Sequence, residues 1–134
     1  MLNENDLNRY ARQVIIPNFD EEGQERLLNS KCLIVGAGGL GCPVAMYATA
    51  SGFGNIEIWD DDDIELTNLN RQIAHDTKKI GINKAISLSE ACLRLNPTIS
   101  IKPKNKQLNL SSCVKKFDLI FDCSDNAETK YVLN

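Results

Sequence analysis

The chain has a single histidine, His75, and no two of its five cysteines form a C-x-x-C pair. Cys32, Cys42, Cys92, Cys113 and Cys123 are scattered, whereas zinc needs clustered thiolate and imidazole ligands, so no zinc site is expected in this chain. An odd count of isolated cysteines also points to reduced thiols, not to a disulfide framework. No apolar run reaches membrane-spanning length. The opening residues, Met1-Leu2-Asn3-Glu4-Asn5-Asp6, are polar and acidic, the reverse of a signal peptide. The expectation is a cytoplasmic protein. Positive charge is not in excess either: the net charge of −3 gives no reason to expect nucleic acid or an anionic membrane as partner.

What is present is ordinary for a globular domain. With 134 residues, 43% of them hydrophobic and 25% charged, the chain can bury one core. It contains no internal repeat and no low-complexity linker. Apolar spacing predicts a helix over 6–14 with Asp6 as its N-cap, and a second over 20–28 opened by Asp20-Glu21-Glu22. Strands are expected at 31–35 and 55–59, flanking a small-residue helix at 40–51 that Gly52 ends. The polar connection 60–79 is too long to be a mere loop, which marks it as functional. A helix over 83–95 stopped by Pro97, a short strand at 99–102, a helical turn at 111–115 and an apolar strand at 117–123 follow. A last helix begins near Asn126 and has about two turns, with no glycine cap and no later strand. The sequence therefore reads as cut, not concluded. Strands alternating with helices predict a Rossmann-like, doubly wound, mostly parallel α/β sheet with helices on both faces.

The chemistry gathers around Cys32-Leu33-Ile34-Val35-Gly36-Ala37-Gly38-Gly39-Leu40-Gly41, an apolar strand running into glycines at G-x-G-x-x-G spacing. Gly36 permits the tight turn, Gly38 lets the backbone approach a phosphate, and Gly41 lets the next helix pack closely. That helix aims its free N–H groups and positive dipole end at the anion. Asp60 ends the following strand where a ribose contact belongs, which fits NAD. Yet Asp60-Asp61-Asp62-Asp63 is followed by Asn68, Arg71 and Lys84. A ribose needs one acid, whereas a triphosphate with its metal needs cations for phosphate and carboxylates for Mg²⁺. The pattern therefore favours ATP.

Each of these residues also has a plainer explanation. Arg12, Arg71 and Lys84, taken singly, fit solvated charges. Four adjacent carboxylates repel one another unless cations meet them, so at least one of the run is expected to work, with Asp60 the first choice. Asp125 suits an Asx turn or helix N-cap. Cys42, at a helix N-terminus where thiol pKa values tend to fall, is better explained by packing, as is Cys123. His75 has no partner nearby in sequence and is assigned no role.

Arg9-Tyr10-Ala11-Arg12-Gln13, Gly23-Gln24, the glycine turn, the aspartate run, Asn68-Leu69-Asn70-Arg71-Gln72, Gly81 with Lys84, Leu95-Asn96-Pro97 and Asp122-Cys123-Ser124-Asp125-Asn126 occur in one order along the chain. Together they resemble the ThiF/MoeB/HesA family of adenylyltransferases, bacterial relatives of ubiquitin-activating enzymes. The resemblance runs from Arg9 onward. It implies ATP-dependent adenylylation of the C-terminal Gly-Gly carboxylate of a ubiquitin-fold sulfur carrier (ThiS- or MoaD-like), with release of pyrophosphate, for thiamine or molybdopterin biosynthesis. By motif position, Asp60 would bind the ribose and the Gly39 backbone would lie against the nucleotide. Arg71 and Lys84 would hold phosphates, with Asn68 assisting, and Asp125 would engage Mg²⁺ or the reacting phosphate, Asp62 being a second metal candidate. The arginine at the position of Arg12 reaches the ATP of the neighbouring subunit in this family, which implies a homodimer. Residues 1–30 would then form a helical segment for dimer and ATP contact, and 31–134 the nucleotide-binding domain. A structural zinc and the rest of the sheet belong to a C-terminal part of the family fold absent from this sequence, so the 134 residues are not expected to complete the adenylation cycle alone. Two alternatives remain: an NAD-dependent oxidoreductase domain, and a non-catalytic nucleotide-binding module of the same fold.

Overall fold

The computed structural model describes residues 1–109 and 114–133; residues 111–113 of the helical turn expected at 111–115 lie outside the described residues. Its strands are β1 (Lys31–Val35), β2 (Asn55–Trp59), β3 (Ser100–Lys104) and β4 (Leu119–Asp122). All pair in parallel, in the order β3-β2-β1-β4. Six helices accompany them among the described residues: α1 (Glu4–Arg9), α2 (Ala11–Val14), α3 (Asp20–Asn29), α4 (Gly41–Ser51), α5 (Lys84–Leu95) and α6 (Ala127–Leu133). This is the Rossmann-like α/β arrangement expected from the alternation.

Strand side chains divide by parity. Cys32 and Ile34 of β1 and Ile56 and Ile58 of β2 face α4 and α5, where Ala45, Ala48, Ala85, Leu88 and Cys92 complete the main core. The intervening Leu33, Val35 and Trp59 face the other way and meet Leu108, with Phe117, Ile120, Val132 and Leu133 packed against them. The chain thus crosses the sheet after β3: β2 and β3 lie to one side of β1, and β4 returns on the other. A crevice opens where the order reverses, at the carboxyl ends of β1 and β4.

Small residues on α4 allow this close seating. Gly41 opens the helix, and a Cβ built there would lie 1.8 Å from the Gly36 carbonyl oxygen. At the other end Gly52 caps α4 in the left-handed conformation, as the sequence predicted. The last carbonyls of α4 are taken up by side chains from elsewhere. Gln13 and Gln24 donate to the Ser51 carbonyl at 2.9 and 3.0 Å, and Asn96 donates to the Thr49 carbonyl at 3.1 Å. Asn96 also donates to the buried Tyr10 hydroxyl at 2.9 Å. This network fastens the N-terminal helices to the sheet domain.

Four expectations about element boundaries need correction. The helix over 6–14 is broken at Tyr10 into α1 and α2, because Tyr10 leaves helical geometry (φ −104°, ψ 14°) while its ring is buried. Its N-cap is Asn3, not Asp6; Asp6 is the third helical residue and closes a capping box with Asn3. The strand expected at 117–123 shortens to β4, because Phe117 sits in a turn with its ring edge-on to Trp59, 6.2 Å away. The strand expected at 99–102 lies instead at Ser100–Lys104, in parallel register with the whole of β2.

Candidate nucleotide-binding site

The crevice at the sheet's switch point is a cleft of about 490 Å³. Its walls include Gly36, Gly38 and Gly39 after β1, Asp60, Asp61 and Asp62 after β2, Arg71, Lys84, and Asp125 after β4. Residues distant in sequence meet there because each follows the carboxyl end of a parallel strand or opens the helix behind it. Gly41, Asn68 and Arg12 do not line the cleft.

The glycine turn is held from both sides. Gly36 has φ +101°, and a Cβ there would lie 2.6 Å from the Cys123 carbonyl oxygen, so this position tolerates only glycine. Asp60 accepts the Ala37 N–H at 2.7 Å and the Asp62 N–H at 2.8 Å. Burial pushes the Asp60 carboxyl up from its ordinary value, and the Ala37 and Asp62 N–H groups work against that rise. A carboxylate offers about four lone-pair sites, so these two contacts leave acceptor capacity toward the cleft. Gly38 and Gly39 differ from Gly36 and Gly41. A Cβ at either would come no closer than 3.4 Å to any neighbouring side chain, and no acceptor among the described residues takes their N–H groups. The protein's own packing does not require glycine at either position. A ligand approaching the backbone would.

Behind the cleft, the polar connection is an ordered strap. Buried Ile64 bonds through its backbone to Ile82 and Gly81, closing the strap on itself. Asn83 donates to the Asp60 and Asp62 carbonyls, and its Oδ1 accepts from the Ala85 and Ile86 N–H groups, capping α5. That cap sets Lys84 at the first helical position, where its buried side chain pairs with exposed Asp62 at 3.3 Å. Arg71 curls onto its own turn, donating to the Thr67 carbonyl and the Asn70 amide oxygen at 3.0 Å each. Asn68 builds that turn: its Oδ1 accepts from the Glu65 N–H, and its carbonyl accepts from the Arg71 and Gln72 N–H groups. Asn68 therefore supports the segment that carries Arg71.

Asp60, Asp61 and Asp62 offer carboxylate oxygens within 4.8 Å of one another, an all-oxygen donor set suited to a hard cation such as Mg²⁺. Asp125 lines the opposite wall and stands outside that group. The N-cap expected of Asp125 falls to its neighbour, since Asn126 accepts the Thr129 N–H at 2.7 Å. Arg12 is exposed on α2. Burial raises the Cys42 thiol, and raises Cys123 to about 11, so neither resembles an activated nucleophile.

Two residues with no assigned role emerge here. Gln72 is 4% exposed and lines the cleft, and its Oε1 has no partner among the described residues. His75 is buried beneath the glycine turn, bonded through Nε2 to the Ala37 carbonyl at 2.8 Å and through Nδ1 to the Ser87 hydroxyl at 2.9 Å. Its partners lie on other elements, so local sequence could not reveal them. The nearest sequence signal is its place within the strap that the aspartates open.

The buried imidazole has a consequence for stability. Burial holds its pKa below 6.5, with the Lys84 and Lys79 charges adding to the fall, against the Ala37 contact and the Asp60 charge. An unfolded chain takes a proton near pH 6.5 while the folded ring stays neutral. His75's contribution is therefore complete above pH 6.5 and is lost as pH falls from there toward the folded value, with a slope of at most about 1.4 kcal/mol per pH unit. Asp60, raised above 3.8, has the opposite sign: its ionisation costs stability as pH rises through its own window. Urea unfolding of the wild type between pH 7.5 and 5.5 should show the histidine step, and His75→Gln should lack it. An identical pH profile in the two proteins would exclude the assignment.

A parallel sheet reversing its strand order above a glycine turn, with an acid at the end of the second strand, defines a nucleotide-binding Rossmann-like domain. Within that class, the chain belongs to the ThiF family, whose pattern matches residues 10–134. It is 43% identical over 136 aligned residues to "Adenylyltransferase and sulfurtransferase MOCS3" of Drosophila ananassae, and 41% identical to the protein of that name from Dictyostelium discoideum. Each alignment covers 99% of this chain but only 30% and 32% of those proteins. Among solved structures, E. coli MccB in complex with MccA superposes at TM-score 0.84 and 30% identity, over 98% of this chain and 41% of that one. E. coli TcdA (tRNA N6-threonylcarbamoyladenosine dehydratase) in complex with ATP superposes at TM-score 0.89 and 22% identity, over 99% of this chain and 56% of its own, a likeness of fold. No helix among the described residues is long and apolar enough to cross a membrane.

Proposed function

We propose that this chain supplies the nucleotide site of an adenylyltransferase that activates the C-terminal Gly-Gly carboxylate of a ubiquitin-fold sulfur carrier. The observation that carries the ATP reading is the cradle: two glycines that the chain's own packing does not demand, with N–H groups that no acceptor among the described residues takes, facing a cleft that holds Asp60, Arg71 and Lys84. Relatives named adenylyltransferase and sulfurtransferase support the reaction class, and the ATP complex of TcdA supports the nucleotide.

The carrier's carboxylate would attack the α-phosphorus of ATP, forming the acyl-adenylate and expelling pyrophosphate. The chemical demand is charge neutralisation and in-line positioning, which this cleft is equipped to meet. Asp60 would accept from the ribose hydroxyls with its remaining lone pairs. Lys84 would exchange its contact with Asp62 for phosphate oxygens, and Arg71 would unfold from its turn to do the same. Mg²⁺, when bound, would screen the phosphate charge; Asp62, within the aspartate group, would hold it, and Asp125 would engage it or the reacting phosphate from the opposite wall. Arg12 would act on the ATP of a second copy in a homodimer, with residues 1–30 providing the contact segment. The carrier's pathway would be thiamine or molybdopterin synthesis.

Thermal unfolding with ATP-Mg²⁺ and with NAD tests the nucleotide. ATP-Mg²⁺ at a hundredfold its dissociation constant should stabilise the chain by about 2.7 kcal/mol, with NAD having no comparable effect. Stabilisation by NAD alone would falsify the reading and favour the oxidoreductase alternative.

A further inference from the structure

The donor and acceptor chemistry around His75 places a hydrogen on one of its ring nitrogens. The Ala37 carbonyl can only accept, so Nε2 must carry the hydrogen in their 2.8 Å contact. A neutral ring then has Nδ1 bare, and Ser87 must donate to it across 2.9 Å. The Cys42 thiol approaches the same carbonyl at 3.5 Å, from the first turn of α4. The Ala37–Gly38 peptide is trans and planar, so its N–H points opposite to its C=O. With the carbonyl drawn down onto His75, the Gly38 N–H is turned the other way, toward the cleft that Gly38 lines. One peptide earlier, Asp60 holds the Ala37 N–H. Two successive peptides of the turn are thus locked by side chains of the strap and the second strand's end.

We infer that His75 is a positioning residue of the nucleotide site: by holding the Ala37 carbonyl, it presets the Gly38 N–H as a donor to a phosphate oxygen of the ligand. The inference rests on the ATP reading of the cleft. Without His75 the Ala37 carbonyl keeps only the long Cys42 thiol contact, the Ala37–Gly38 peptide is held less firmly, and a phosphate must complete its ordering at the moment of binding, which weakens affinity. The effect is specific to the phosphate, because the ribose contact proposed for Asp60 does not pass through this peptide.

The test is calorimetric titration of ATP-Mg²⁺ and of adenosine into the wild type, His75→Leu and His75→Gln, with urea midpoints recorded for each. His75→Leu should weaken ATP about tenfold and leave adenosine within about twofold, the loss of one charge-assisted hydrogen bond's preorganisation. His75→Gln, whose amide N–H can replace Nε2–H, should recover most of the ATP affinity. A folded His75→Leu that binds ATP like the wild type overturns the inference. So does a proportional loss of ATP and adenosine, which would mean general loosening. A second measurement covers a variant that fails to fold. In the wild-type amide spectrum, ATP and AMP should shift the Gly38 resonance and adenosine should not. A Gly38 amide unmoved by ATP overturns the inference while leaving the ATP reading intact. A wild type that binds no ATP overturns that reading, and the inference with it.

Discussion

Gly41→Ala is expected to destabilise the chain by about 3 kcal/mol or more, whereas Gly38→Ala is expected to stay within about 1 kcal/mol of the wild type. The two glycines belong to one motif, yet they meet different neighbours. A Cβ on Gly41 falls 1.8 Å from the Gly36 carbonyl oxygen, a backbone atom held in place by the turn, so α4 must lift off the end of β1. A Cβ on Gly38 comes to 3.4 Å from the Gln72 amide nitrogen, which is ordinary contact with a side-chain end. Function should show the reverse order of specificity. Gly38→Ala fills the space a phosphate would occupy and should lower ATP affinity by about tenfold to a hundredfold in a protein of near-native stability. Urea midpoints and ATP calorimetry on both variants decide the matter. A Gly41→Ala chain as stable as the wild type would mean α4 is not seated on the turn as described.

Arg71→Ala combined with Lys84→Met should reduce ATP affinity by at least about a hundredfold, since each cation is assigned a charge-assisted contact with phosphate worth roughly tenfold or more. Methionine preserves the buried stem of Lys84, and the partner it leaves behind, Asp62, is 68% exposed and readily solvated. The stability change should therefore stay small, and the loss should be in ligand binding. Salt offers an internal control, because the wild-type affinity should fall with ionic strength more steeply than that of the double variant. Unchanged ATP affinity would remove both residues from the phosphate site and favour a non-catalytic module.

Much of the fold was legible because its signals are local. An apolar strand entering closely spaced glycines, the small residues of α4 and the Gly52 cap are each contained within a few residues. The motifs around Tyr10, Gln13, Gln24 and Asn96 were visible as a family pattern, but their physical work was not. Gln13, Gln24 and Asn96 satisfy the carbonyls at the end of α4, an element none of them belongs to, and the Tyr10 hydroxyl accepts from Asn96. The helix break at Tyr10 was hidden for the same reason, since only burial of its ring explains why the backbone turns there. Asn83, read as the start of a helix, proved to be the cap that joins α5 to the aspartate run.

The site divides along the same line. Sequence alone determined that a glycine turn, an acid at the end of the second strand, and two cations downstream would be available, because each residue type carries its chemistry with it. Tertiary structure alone decided which of them share the cleft. Parallel strands bring their carboxyl ends together, so Asp60, Lys84 and Asp125 converge across long sequence separations, while Asn68 supports the turn behind them. Only the folded chain could give His75 a role: its partners, Ala37 and Ser87, come from the first strand's turn and from α5, and burial between them keeps the ring neutral and oriented.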